Sequence, residues 1–293
     1  MALKDFALRL THNDEGERLY AIHDIMDANI KEMIPVLIEQ LEKEESQAVR
    51  DAIVSALKHM EMSITPYYER LFGLFFSPDA FLRNAAVSIF GSGKEDAVAF
   101  LTSKLDHTDR EVRKLILDSL VDIGTPEAIM AIRAAIYDPA KNVQITAVEY
   151  LGRLGDREAL EDMIELFRKD EEPMLRSSII NALTEIGDSS VVKKLLIILA
   201  PDGKVSDINT VLLPDVMRMV ARLGNINEIR ELLNSFPYQK IYARDVANFI
   251  LEAVRRFPLL KDSEEVMGLM TAIINDSEVD EDIKNFCEEL QSE

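Results

Sequence analysis

Apolar residues in this chain follow a pattern that restarts roughly every 31 to 33 positions, and that period limits the possible folds more than any other property. Val49-Arg50 is followed by Ile53, Val54, Leu57 and Met60. Val112-Arg113 leads to Ile116, Leu117, Leu120 and Ile123, and Leu175-Arg176 leads to Ile179, Ile180, Leu183 and Ile186. The units start near Glu17, Val49, Leu82, Val112, Val143, Leu175, Leu212 and Ala243, with gaps of 32, 33, 30, 31, 32, 37 and 31. A period of that size corresponds to one supersecondary unit that cannot bury its apolar face alone, so neighbouring units must stack. Stacking extends a core in one dimension, and the 293 residues therefore read as a single domain over 1–293.

The unit from Val112 to Pro139 shows its own construction. Asp109 is placed to cap a helix, and Val112, Ile116, Leu117, Leu120 and Ile123 recur at the spacing of one helical face. Gly124 is expected to end that helix in left-handed geometry, and Thr125-Pro126 to start a second one. Ala128, Ile129, Ile132 and Ile136 supply the second apolar face before Asp138-Pro139 closes the unit. The stop glycine recurs at Gly93, Gly124, Gly155, Gly187 and Gly224. Capping residues recur three positions before a start, at Asp14, Ser46, Asp79, Asp109, Asn209 and Asp276. Arg follows the start at 18, 50, 83, 113, 176 and 244, with Gln144 and Leu213 as exceptions, and is expected to form a ladder of charge and hydrogen bonds.

The Val/Leu-Arg start, the apolar spacing and the Ile/Leu-Gly turn with its second helix resemble HEAT-like repeats. They are most similar to the subtype of phycobilin lyases and many bacterial and archaeal proteins. Units such as Val112–Asp138 match by residue, whereas Glu17–Leu41, Leu212–Phe236 and Ala243–Ile274 match by spacing. The resemblance implies an all-α, right-handed superhelix of about eight hairpins with second helices lining the concave face; a terminal helix is expected over 279–291.

The net charge of −20 argues against nucleic acid and an acidic membrane surface as partners, because both need clustered Lys and Arg. Residues 262–293 carry eleven acids against Lys284 alone, which makes them either a solvated end-cap or a docking surface for a basic segment of a protein partner. Cys287 has no second cysteine to pair with, and the N-terminus lacks an apolar stretch of signal-peptide length, so a cytoplasmic location is expected. The 200–209 stretch lengthens one unit and reads either as an inert loop or as part of a binding rim.

Motifs for chemistry fail on inspection. Gly91-Ser-Gly-Lys94 lacks the first glycine of a phosphate loop, has Glu95 after the lysine and follows a helix. The acids from Asp276 to Asp282 lack the glycine and terminal glutamate of a calcium loop. His12, His23, His59 and His107 are scattered, no His-Glu dipeptide occurs, and Trp is absent. No catalytic, metal or cofactor residue is therefore assigned, and the chain is expected not to be an enzyme.

Six of the nineteen aromatics fall within residues 67–81. Aligned by period, Tyr67, Tyr68, Leu71 and Phe75 occupy core positions, while Phe72 and Phe76 fall where the later unit has Arg133 and Tyr137. Those four positions form either an exposed patch for a protein partner or a thicker core covered by Phe81 and the N-terminal hairpin. The expected function is a non-catalytic interaction scaffold or adaptor. Two alternatives are a subunit or chaperone of a bilin lyase or other enzyme complex, implied by the resemblance, and an accessory protein in bacterial or archaeal signalling.

Overall fold

The computed structural model describes residues 3–60, 64–93, 95–201, 208–235 and 239–292. It divides into two compact units, residues 1–150 and 151–293, each described by itself. Among the described residues all regular structure is helical.

The first unit opens with α1 (Leu3–Leu10), followed by the hairpins α2 (Glu15–Asp27) with α3 (Ile34–Lys43) and α4 (Gln47–His59) with α5 (Tyr68–Gly73). The hairpins α6 (Ala80–Gly91) with α7 (Glu95–Thr102) and α8 (Arg110–Ile123) with α9 (Pro126–Ala134) come next. Helix α10 (Lys141–Leu154) contains the division. The second unit holds α11 (Leu160–Lys169), α12 (Pro173–Ile186), α13 (Ser189–Leu199), α14 (Leu213–Leu223) and α15 (Ile226–Ser235). It ends with α16 (Ala243–Arg256), α17 (Glu264–Asn275) and α18 (Glu281–Ser292). First helices pack on first helices, α2 on α4, α4 on α6 and α6 on α8 in one unit, and α12 on α14 and α14 on α16 in the other. Of the apolar positions read from the period, Ile53, Leu57, Ile116, Leu120, Ile179 and Leu183 are fully buried, while Val54, Ile123 and Ile129 are half-buried at the edge of the face.

The caps follow the sequence where a helix begins within one turn of them. Asp14, Ser46, Asp79 and Asp109 each accept a backbone N–H of the first turn and leave the helix in extended geometry. Asn209 and Asp276 do not cap the start of a helix. Asn209 accepts the N–H of Val211, two residues ahead of α14; Asp276 closes α17 and accepts the N–H of Glu278. The glycine stops also divide. Gly124 and Gly155 have φ of 65° and 72°, as a left-handed stop requires, whereas Gly187 and Gly224 end their helices in extended backbone.

Five of the six arginines of the series share a local purpose, while Arg244 pairs with Asp282 at 2.8 Å. Each of Arg18, Arg50, Arg83, Arg113 and Arg176 donates to the backbone carbonyl six residues before it, at His12, Glu44, Ser77, His107 and Asp170. The side chain of that same earlier residue accepts the N–H two positions on, as in Asp14 N–H to His12 Nδ1 and Asp109 N–H to His107 Nδ1, both 3.1 Å. Glu44, Ser77 and Asp170 accept in the same way. The turn between hairpins is thus clamped from both sides, and its otherwise orphaned carbonyl acquires a charged donor. Three of these arginines also reach forward to the turn that leads into the next hairpin, Arg18 to Glu44, Arg50 to Asp79 and Arg113 to Asp138.

Glu44 gives this clamp a pH signature. Burial alone would raise its carboxyl, but the bonds from Gln40, the Ser46 N–H and Arg18 together outweigh burial and hold it below the ordinary 4.5. A carboxylate depressed in the folded state adds stability that is complete above the unfolded value and is lost as pH falls through the folded one. Thermal melts should therefore drop in midpoint below about pH 4.5, and Glu44→Gln should flatten part of that drop while lowering the neutral-pH midpoint. Parallel melting curves for the two proteins across that range would contradict the assignment.

Candidate interaction surface

Tyr68 and Phe72 of the aromatic segment belong to α5, Phe75 and Phe76 to the 3-10 turn Leu74–Phe76 that follows it, and Phe81 to α6. Tyr68, Leu71 and Phe75 point into the core, as the period requires, whereas Tyr67, expected there too, is only half-buried. Phe90 lies under them, stacked on Phe100 with ring centroids 5.8 Å apart and tilted against Tyr68 at 5.4 Å.

The two phenylalanines expected outside this core separate. Phe72 is only 6% exposed, so its expected exposure is corrected. The following hairpin covers it: Phe100 meets its ring edge-on at 5.9 Å, His107 does so at 6.2 Å, and Lys104 lies 5.4 Å from its centroid. Phe76 remains 53% exposed. It stands on Phe72 in an edge-to-face contact at 5.6 Å and against the His107 ring at 5.4 Å. Because His107 is itself fixed by the clamp, through Nδ1 and through its carbonyl to Arg113, the exposed ring rests on a rigid base.

Arg133 and Tyr137 lie on α9 and the turn that ends it, with Arg133 half-buried and Tyr137 60% exposed. The sequence reading missed Met130, which is also 60% exposed and follows the core position Ile129 by one residue. It also missed His107, whose role depends on a ring contact between hairpins that no spacing reveals. Glu95 and Asp96 in the first turn of α7, Asp106 after that helix and Glu127 in the first turn of α9 are exposed, and none makes an ion pair within 4.0 Å among the described residues. Two basic groups nearby are engaged: Lys104 is 2.7 Å from Glu69, and Arg70 donates to the Pro35 carbonyl at 3.1 Å.

Elsewhere the chemistry is sparse. Burial pushes the Cys287 thiol up to about 11, which leaves it protonated at neutral pH and a poor nucleophile. Among the described residues no group of three His, Cys, Asp or Glu side chains could hold a metal ion, and no helix is long and apolar enough to cross a membrane. Lys94 and most of the 200–209 stretch, residues 202–207, lie outside the described residues.

Residues 130–208 match the family model of HEAT repeats. A curated relative, the uncharacterized phycocyanin operon protein Z of Pseudanabaena tenuis (strain PCC 7409), is 27% identical over 129 residues. That match takes in 41% of this chain and 63% of the relative's length. Among solved structures, importin beta aligns with 98% of this chain and 46% of its own, at 12% identity and a TM-score of 0.53. The complex of CpcE and CpcF of phycocyanin lyase from Nostoc sp. PCC7120 aligns with 76% of this chain and 95% of its own, at 20% identity and a TM-score of 0.34. At such identities the importin likeness concerns the fold, an all-α array of stacked hairpins.

Proposed function

We propose that this HEAT-repeat chain is a non-catalytic scaffold, and that its first unit holds a protein partner on the face where Phe76, Arg133 and Tyr137 emerge, with Phe72 as the buried support. The observation that carries the reading is Phe76, a large apolar ring left half in water yet fixed from below by Phe72 and from the side by His107. An aromatic anchor held in place before binding loses little conformational freedom on docking, and such anchors supply much of the affinity of protein interfaces. The stacked hairpins contribute a stiff frame, because the clamped turns keep each second helix at a set position relative to the next.

Photo-crosslinking in the producing cell tests this. Ala134, exposed on α9, is replaced with p-benzoylphenylalanine, and exposed Asp51 on α4 serves as the control. The expected result is a discrete protein adduct at 134 that is missing at 51. Adding Phe76→Ser and Tyr137→Ser should remove it, consistent with losing about 2 kcal/mol or more per anchor. Equal adducts at both positions would end the proposal.

The 27% identity to a protein named for a phycocyanin operon favours a second reading, a subunit or chaperone of an enzyme that attaches a tetrapyrrole pigment. On that reading the purified chain shifts the visible absorption of an added bilin; an unchanged spectrum with protein in large excess removes it.

A further inference from the structure

The face that carries Phe76 has a relief set by the repeat. Glu69, Ala99 and Met130 occupy one row, Gly73, Ser103 and Ala134 the next, and Phe76, Asp106 and Tyr137 a third, each at intervals of 30 and 31 residues. All nine are exposed. The middle row has almost no side-chain height, and a Cβ added at Gly73 would meet nothing within 4 Å. Phe76 and Tyr137, with Asp106 between them, rise on one side of it and Met130, with Glu69 in its row, on the other, so the three helices present a shallow trough whose walls combine large apolar and acidic side chains. Helix α7 packs beside α9, and Lys104 of the turn after α7 bridges to Glu69 of α5 at 2.7 Å, which keeps the rows adjacent.

Two physical constraints select the occupant. The backbone N–H and C=O groups of α5, α7 and α9 are used within the helices, so the trough offers a docking segment no main-chain partners. A segment lying there must satisfy its own backbone, which an α-helix does and an extended strand does not. Charge supplies the second constraint. Glu95, Asp96, Asp106 and Glu127 stand exposed around the trough without counter-ions among the described residues, while Lys104 and Arg70 are engaged by Glu69 and Glu42. An acidic helix or a phosphate-bearing surface would add its charge to this field and to the net −20 of the chain.

We infer that the trough takes an amphipathic α-helix with apolar residues on its contact face and Lys or Arg along its flanks. The inference rests on the scaffold reading above and names the chemistry of its partner. The low middle row admits the helix to the usual interaxial distance of about 8–10 Å. Phe76, Met130 and Tyr137 then bury against its apolar stripe, and the four carboxylates meet its flanks.

The test uses the full chain and fluorescence anisotropy with a labelled helix of about 18 residues made of Leu and Lys in amphipathic register. A Leu/Glu helix of the same register and a scrambled Leu/Lys sequence are the comparisons. The Lys helix is expected to bind at least tenfold tighter than either. Asp106→Asn with Glu127→Gln should weaken it about tenfold and flatten its salt dependence. Asp280→Asn with Glu288→Gln, which removes the same charge from exposed positions in the second unit, should change it less than twofold. Equal binding of the scrambled sequence, or equal effects of the two paired substitutions, would mean diffuse attraction to net charge and overturn the inference. The Ala134 adduct separates the two proposals. If it forms and depends on Phe76 and Tyr137 while the Lys helix fails, only the partner's chemistry is wrong.

Discussion

Arg113→Ala is expected to lower the free energy of unfolding by about 3–5 kcal/mol, read as a shift of the urea midpoint. Arg113 Nε and Nη2 donate to the two Asp138 carboxylate oxygens at 2.6 and 2.7 Å, and Nη1 donates to the carbonyls of His107 and Thr108 at 2.6 and 3.2 Å. The side chains of the pair are only 8% and 7% exposed. Asp138, with the Asp109 carboxylate behind it, keeps the guanidinium firmly charged, its pKa raised above the ordinary value against the opposing effect of burial. Truncation leaves a buried carboxylate with one remaining donor, the Ala140 N–H, and two carbonyls without theirs. The cost comes from what is left unpaired, so replacing both partners together, Arg113→Met with Asp138→Leu, should recover much of it. The exposed pair Lys43–Glu39 is the contrast, and Lys43→Ala should cost under about 1 kcal/mol. A loss below 1 kcal/mol for Arg113→Ala would show that the turn clamp is not a main support of the stack.

Phe90→Ala should cost a similar amount, about 3–5 kcal/mol, for a different reason. Phe90 is fully buried and touches Tyr68, Phe75 and Phe100 with ring centroids at 5.4, 5.8 and 5.8 Å. Removing it opens a cavity among rings too large to close over the gap. The defect should also spread outward, because Phe72 rests on Phe75 and Phe100, and Phe76 rests on Phe72. The Leu/Lys helix should therefore bind Phe90→Ala more weakly than the parent. Phe167, equally buried but in the second unit, is the comparison. Phe167→Ala should cost comparable stability in urea and leave helix binding unchanged, and matching losses of binding in the two variants would refute the outward coupling.

Much of the fold was legible before any coordinates. The 31-residue period located every hairpin, because Val112, Ile116 and Leu120 can share a buried face only if the segment is helical. Capping residues were reliable where a short polar side chain sat within one turn of the start, as at Asp79 and Asp109. They misled at Asn209 and Asp276, where the same side-chain chemistry stabilises a turn two residues long. The arginine ladder was visible as a series, but its geometry was not. Sequence spacing cannot tell whether a guanidinium reaches sideways to a neighbouring unit or back across its own turn, and here several do both.

For the interaction surface the balance is different. Periodic alignment placed Phe72 and Phe76 at equivalent outward positions relative to Arg133 and Tyr137, and it treated the two rings alike. They differ in their surroundings: Phe100, His107 and Lys104 of the next hairpin cover Phe72, whereas Phe76, in the 3-10 turn after α5, stays half in water. Met130 went unnoticed because a methionine one place beyond a core isoleucine is indistinguishable from core by periodicity.

The sequence by itself determined the all-α repeat, the positions of its hairpins and its acidic charge, since these depend on local spacing and on charge that burial does not alter; α1, which lies ahead of the first repeat, was not among them. Only the tertiary structure decided which aromatic was support and which was anchor, and which charges were already satisfied by a neighbour. Those depend on contacts between hairpins some thirty residues apart, where a rotation of a fraction of a turn moves a ring from the core to water.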